Sequence, residues 1–407
     1  MADASRREFH PDAPRLATFV GDAEGFQHLD LSRRLRVTSD GDALAAIVDG
    51  APWADVDRLW GLALDGGLRA PAFRLVNDGT TLPRSVVCRS AAVGDRSLDD
   101  VIEPNRVLEL HDEGATVVMQ GLQHIDPTYG RLSTNLALEI GQPIQVNAYL
   151  SPPNARGLDI HFDYHDVIVV QLAGTKRWRV WEPIERTRRP TRHGPGVPMP
   201  RLEELGEPLL ERVVGPGDCL AIPRGFPHAA ETVEDRSVHL TIGIMSFTWE
   251  RVIRVLLSSG RSGTGVSGTA LADRMRSVPE PDAALSDLGD LLADDVLQRL
   301  ITAEIWRRQP RTRLRPRTVG TPAPPDRTAT FRVTPGPLLW LECDGARARL
   351  QLGDRSISAP LEAAPLFERV LAVDGCFGLD DVRGELDVDS AVVIIERLLR
   401  EGVVAHA

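Results

Sequence analysis

At 407 residues, 42% of them hydrophobic, the chain exceeds one ordinary domain and can bury two or three cores. Its formal net charge of −11, from 47 basic and 58 acidic side chains, excludes a global basic footprint for nucleic acid, though not a local patch. The four cysteines, Cys88, Cys219, Cys343 and Cys376, have no CxxC or ligand spacing, which argues against a disulfide framework or a zinc knot and for buried thiols in a reducing compartment.

The N-terminus, MADASRREFHPDAP, is polar, and no segment approaches the roughly 18 uninterrupted apolar residues of a membrane span. A soluble, cytoplasmic protein without membrane contact is expected. No fixed-period repeat is visible. Residues 1–114 read as a mixed, mainly helical lead-in that packs on the outside of the core following it. Gly41 to Val48 and Ala54 to Leu64 have helical spacing with Asp near their starts. Ala72 to Val76 and Ser85 to Cys88 read as strands, and Leu98 to Val101 with Asn105 to Leu110 as a helical return.

The core is expected over residues 115–247. It opens with the strand ATVVMQG, in which Gln120 is a polar group in an apolar run, either satisfied at an edge or aimed into a ligand cavity. Ser133 to Gly141 reads as a short helix, and residues 143–150, 166–172 and 176–182 as strands. Strand-rich segments cut by Gly and Pro turns indicate a double-sheet jelly roll, which commonly encloses its ligand site. In this core lies His161-Phe162-Asp163. On a strand, residues i and i+2 share a face, so His161 and Asp163 would reach one point. His228, in PRGFPHAAET after the strand-like CLAIP, would complete a set of two imidazoles and one carboxylate. Three ligands on one side leave the opposite face open, the arrangement non-haem Fe(II) uses to take a cosubstrate and O2 together. Zinc more often occupies a closed site, or three ligands and a water. HxD by itself recurs by chance, but the context sharpens it. VIVVQL, a Gly174 turn and KRWRVW form an apolar strand pair with Lys176 at its edge. A buried ammonium there needs an anionic partner, which a dicarboxylate would supply.

HFDYHDV, QLAGTKRW, GDCLAIPRGFPH and SVHLTIG together resemble the JmjC-type oxygenases of the cupin superfamily, most closely the ribosomal oxygenase branch. The resemblance implies an α+β architecture: a double-stranded β-helix (cupin or jelly-roll, JmjC) barrel with flanking helices, a helical dimerisation region and a C-terminal winged-helix domain. It implies Fe(II) at His161, Asp163 and His228, with 2-oxoglutarate held by Lys176 and O2 as second cosubstrate. Asn147 and Tyr149 match the family's N-x-Y, and with Gln120 and Thr241 they are the implied substrate contacts. The implied reaction hydroxylates a C–H of a protein side chain, favouring a ribosomal protein. One departure is plain: the family's serine two residues after the Thr of HLT is Gly243 here. Two other readings stay open, the same chemistry on a peptide natural product or amino acid, and a non-catalytic metal-binding cupin or winged-helix regulator. Lysine demethylation is chemically open to such an iron, but nothing here resembles a methyl-lysine reader. His165 is read as a neighbour of the ligands or a residue of the mouth, His239 as a weaker pocket residue, and His193 as part of a solvated Arg-rich loop.

Residues 248–308 have helical periodicity, and the resemblance implies a homodimer interface there, although an intrachain partner would bury the apolar stripe equally well. Residues 260–268 read as a flexible connection and 309–327 as the body of an Arg- and Pro-rich linker whose arginines could bind RNA or an acidic surface, the favoured reading being that they neutralise the acidic barrel. The last unit, residues 328–407, starts with strand-like FRVTP, LLWLEC, ARARLQLG and SISAP. Helices are expected over Ala364 to Val373 and Leu379 to Leu386, and over Ala391 to Arg400 with Asp389 as N-cap and Gly402 as stop. This unit resembles a winged helix, but DVDSAVVIIERLLREG is acidic where a recognition helix should be basic. A structural or protein-contact role is expected rather than direct nucleic-acid binding.

Overall fold

Residues dense in β-branched side chains, such as TVVM, DVIVVQLA and SVHLTIGI, fit a pleated surface better than a helix and supply the strands of the core. The computed structural model describes residues 13–21, 35–38, 51–65, 68–188, 197–245, 328–334, 339–343, 345–352 and 355–407. The expected helix at 41–48, the His193 loop, the helical region with its connection, and the Arg- and Pro-rich linker all lie outside the described residues. The chain divides into two compact units, Pro11–Ser246 and Phe247–Ala407, the second taking in Met1–His10. Among the described residues no helix is long and apolar enough to cross a membrane.

The strands of the first unit, in chain order, are β1 (Arg36–Thr38), β2 (Phe73–Asn77), β3 (Thr80–Thr81), β4 (Cys88–Val93), β5 (Arg96–Ile102), β6 (Thr116–Met119), β7 (Ile144–Ser151), β8 (Asp166–Ala173), β9 (Lys176–Val180), β10 (Leu210–Val214), β11 (Cys219–Ile222), β12 (His228–Thr232) and β13 (Ser237–Ile244). Eight of them form one sheet in the order β1-β11-β8-β13-β7-β6-β2-β3, and β10-β9-β12 form a second. Every pairing is antiparallel. Val167, Val169, Trp178, Val180, Val214, Leu220, Ile222 and Phe226 make a common core between the two sheets, closing the jelly roll. Strand β8 is buried along nearly its whole length, which explains its continuous rather than alternating apolar run.

Several sequence expectations need correction. The lead-in does not merely pack outside the barrel, since β1, β2 and β3 are strands of the large sheet itself. Ser85 to Cys88 is mostly a short helix, Arg84–Val87, with Cys88 opening β4. Leu98 to Val101 is not helical but lies in β5, paired with β4 across Gly94-Asp95. Gly94 has φ 62°, as a two-residue hairpin turn requires. Asp78-Gly79 makes the same kind of turn between β2 and β3, with φ 45° and 77°. The helix expected from Ser133 runs instead over Pro127–Ile140, because Asp126 caps it by accepting from Thr128 N and Pro127 occupies its first turn. It ends where Gly141 turns left-handed at φ 72°.

In the second unit the four expected strands are present as Thr330–Val333, Trp340–Cys343, Arg347–Gln351 and Ser356–Pro360. Helices Ala364–Ala372, Leu379–Val382 and Val388–Glu401 follow, with short strands Cys376–Gly378 and Val404–His406. Phe331, Phe367, Phe377, Ile395 and Leu398 centre its own core. The last helix is capped by Asp387, which accepts from Ser390 N, two residues earlier than Asp389.

Candidate metal centre

The site is built on main-chain pairing. His228 opens β12, and it exchanges two backbone hydrogen bonds with His161, N to O at 3.1 and 2.8 Å. The HxD segment is therefore not a regular strand, as expected, but an irregular stretch touching β12 at isolated bridges, Arg156 to Glu231 and His161 to His228. Two further bonds tie its far end to the loop before β12. Gly225 N donates to Asp163 O at 2.9 Å, and Arg224 N donates to the Asp166 carboxylate at 2.9 Å. The backbone, not strand parity alone, thus sets Asp163 beside His228.

One donor atom from each of His161, Asp163 and His228 lies within 4.8 Å of the others. The Asp163 carboxylate is 3.7 Å from His228 Nε2. Both imidazoles turn Nδ1 to a main-chain carbonyl, His161 to Asp159 O at 2.7 Å and His228 to Phe226 O at 2.9 Å. Those bonds make Nδ1 the donor and leave each Nε2 lone pair available to a cation. Burial, with His161 close by, pushes His228 down to about 4, so it is neutral and ready to ligate at ordinary pH. Burial alone would raise the Asp163 carboxyl, but the imidazoles of His228, His165 and His161 outweigh it and hold it below the usual range. Two neutral imidazoles and a carboxylate on one side fit a divalent transition metal with open positions.

Lys176 starts β9 in the small sheet and crosses the sandwich, donating from Nζ to Ser151 Oγ at the end of β7 at 2.9 Å. It is buried, no carboxylate among the described residues pairs with it, and burial pushes it down to about 7. Nearby, the buried His239 Nδ1 and Trp178 Nε1 have no hydrogen-bond partner. His239 packs flat on Tyr149 at 4.7 Å and against the Trp178 ring at 5.6 Å, and the charge of Lys176 adds to burial in lowering it. An uncompensated cation beside unpartnered polar atoms is a cradle that fits the far carboxylate of a dicarboxylate.

The remaining sequence candidates gather on β7 and its neighbours. Asn147 Oδ1 accepts from Gly121 N and from Gln145 Nε2, each at 3.0 Å, and its Nδ2 donates to Thr241 Oγ1 at 3.4 Å. Tyr149 is raised by burial and by Asp163, and its hydroxyl meets Thr241 and Arg74. Gln120 follows β6 half-buried, its backbone N bonded to Ala72 O at 2.8 Å. Ser151 and Arg74 escaped the sequence reading. Ser151 continues the two-residue parity of Asn147 and Tyr149, a signal that was available; Arg74 reaches the site only through the β2-β6-β7 register, which sequence does not display.

An antiparallel jelly roll with a two-histidine, one-carboxylate cluster is a cupin-type fold with a candidate metal site. Comparison with known proteins narrows this. Residues 122–252 match the model of the JmjC domain. The chain is 34% identical over 158 residues to ribosomal oxygenase 1 of Rattus norvegicus, 38% of this chain and 26% of that protein. It is 38% identical over 102 residues to the bifunctional lysine-specific demethylase and histidyl-hydroxylase NO66 of Drosophila willistoni, 25% of this chain and 13% of that protein. The match thus spans about a quarter or less of these relatives' length. Among solved structures, Escherichia coli YcfD has a TM-score of 0.55 at 17% identity, over 95% of this chain and 98% of that one, and shares the fold.

Proposed function

We propose that the chain is an Fe(II)- and 2-oxoglutarate-dependent oxygenase that hydroxylates a C–H bond of a protein side chain, with a ribosomal protein as the favoured substrate. The observation that carries this reading is the meeting of His161, Asp163 and His228 in the same barrel that buries Lys176, which has no carboxylate partner among the described residues. The names of the relatives support the substrate class, and YcfD, described as a ribosomal oxygenase, has been solved with cobalt and succinic acid.

Iron(II) with 2-oxoglutarate supplies the oxidising chemistry: one atom of O2 goes to the substrate carbon, the other to succinate, and CO2 leaves. The work of the protein is placement. His161, Asp163 and His228 would hold the metal, the two imidazoles through Nε2, with each Nδ1 already tied to a main-chain carbonyl. Protonated Lys176 would pair with the distal carboxylate, and Ser151 keeps its ammonium aimed. Tyr149 and Thr241, braced by Asn147, wall the space where the substrate enters, with Gln120 at its rim. Residues 248–308 are assigned to homodimer contact, 309–327 to a linker, and 328–407 to a winged-helix-like unit that meets protein rather than nucleic acid. Gly243, with His165 over it, supports a second reading in which the same chemistry serves a peptide natural product or amino acid.

The test is succinate release by the iron-loaded protein with and without total ribosomal protein, followed by intact-mass analysis. One ribosomal protein gaining a single oxygen is expected. Turnover without that mass gain moves the substrate to the second reading, and no turnover with iron bound removes the oxygenase assignment.

A further inference from the structure

Gly243 sits on β13 between Gln145 of β7 and Val167 of β8. Its backbone does not demand glycine, but its surroundings do. A Cβ there would lie 2.8 Å from Cδ2 and 2.9 Å from Nε2 of His165, so the imidazole rests on bare main chain. His165 belongs to the segment that carries His161 and Asp163 and lies near both Asp163 and His228. The ring is half-buried and, among the described residues, neither nitrogen makes a hydrogen bond. Asn147, by contrast, is largely used up by Gly121, Gln145 and Thr241. A side chain reaching the metal therefore meets one uncommitted imidazole and an amide with little left to offer.

We propose that His165, seated on Gly243, is the specificity-determining contact of the pocket and selects a substrate side chain ending in a hydrogen-bonding group over an aliphatic one. This rests on the substrate-pocket reading given above. An aliphatic substrate would cover the imidazole without satisfying it, and sites built this way reject analogues that lack the polar partner. Glycine at 243 is half of the device, because any larger residue displaces the ring.

The experiment uses the full chain loaded with Zn(II) and 2-oxoglutarate, which cannot turn over, and peptides of one scaffold with a central Asn, Gln, His, Leu or Val. Binding is followed by fluorescence polarisation. Polar-centred peptides should bind at least about tenfold tighter than aliphatic ones, and His165→Ala should cut the preference to about twofold or less. Co(II) affinity, read from its visible absorption, should change less than about twofold, which separates substrate contact from metal support. Gly243→Ser should lose the preference as His165→Ala does, and the double variant should be no worse than either, because all three remove one contact. No discrimination by the wild type, binding of none of the peptides, or a preference that survives His165→Ala would overturn the proposal. Polar selectivity without succinate release from the iron form would instead defeat the oxygenase reading and leave the pocket assignment standing.

Discussion

Replacing Lys176 with methionine should stabilise the ligand-free protein while destroying its hold on a dicarboxylate. Burial takes this lysine from 10.5 to about 7, on the order of 5 kcal/mol against the charged form. Between those values the unfolded chain binds a proton that the folded chain does not. Stability therefore climbs as pH rises from about 7 towards 10.5, and the full cost is present below 7. Methionine removes that cost and forfeits the bond to Ser151, worth about 1 kcal/mol, while Ser151 keeps the Thr116 hydroxyl as a partner. With allowance for imperfect packing, roughly 3 kcal/mol should remain near pH 6.5, which raises the melting temperature by about 5–10 °C in a unit of this size. The gain should fade as pH approaches 10.5. In the wild type, 2-oxoglutarate with metal should raise Tm, and its apparent affinity should weaken above pH of about 7, where binding must first take up a proton. The variant should show neither response. Calorimetry across that range decides the matter: a variant that melts below the wild type at about pH 6.5 would mean that Lys176 is a strut between the sheets, and the reasoning would fail.

His228→Ala should abolish iron-dependent succinate release and weaken Co(II) binding by at least about a hundredfold, since it deletes a ligand; undiminished turnover would sink the metal assignment. Gly79→Ala acts from a distance. Gly79 has φ 77°, and a Cβ there would fall 2.5 Å from the Asp159 carboxyl, whose own carbonyl holds His161 Nδ1. A loss of about 1–2 kcal/mol in chemical denaturation is expected, with several-fold weaker Co(II) affinity, and unchanged affinity would show that the hairpin has no hold on the ligand. Asp387→Ala should cost the second unit about 1 kcal/mol, seen as faster amide exchange at Ser390, and unaltered exchange there would discount the cap.

Much of the core was legible because its strands are long, apolar and bounded by glycine. The runs around 144–151, 166–173 and 176–180 left little room for another reading, and the spacing of His161, Asp163 and His228 pointed to a convergence that the structure contains. The errors fall where local chemistry outranked periodicity. Two-residue turns at Asp78-Gly79 and Gly94-Asp95 made hairpins of stretches read by composition, and an Asp-Pro start lengthened a helix by a turn and a half. Other features arise only from register: Lys176 meeting Ser151 across the sandwich, Arg74 reaching Tyr149, and His165 lying on Gly243 join positions far apart in sequence. Asn147 illustrates the limit well. Its place was readable from the N-x-Y of the resemblance, but that its amide is tied to Gly121, Gln145 and Thr241 was not.

The order of the large sheet has a consequence for how the protein is made. Strand β1 borders one side and the β2-β3 hairpin the other, so both margins come from the beginning of the chain. During synthesis β1 leaves the ribosome long before β11, the strand it must pair with, and has to wait unpaired for most of the barrel to follow. Once the sheet is complete, the same early strands cover β11 and β6, which would otherwise offer open hydrogen-bonding edges to a neighbouring molecule. Strands β1 to β3 are thus exposed to aggregation while nascent and protect against it once folded.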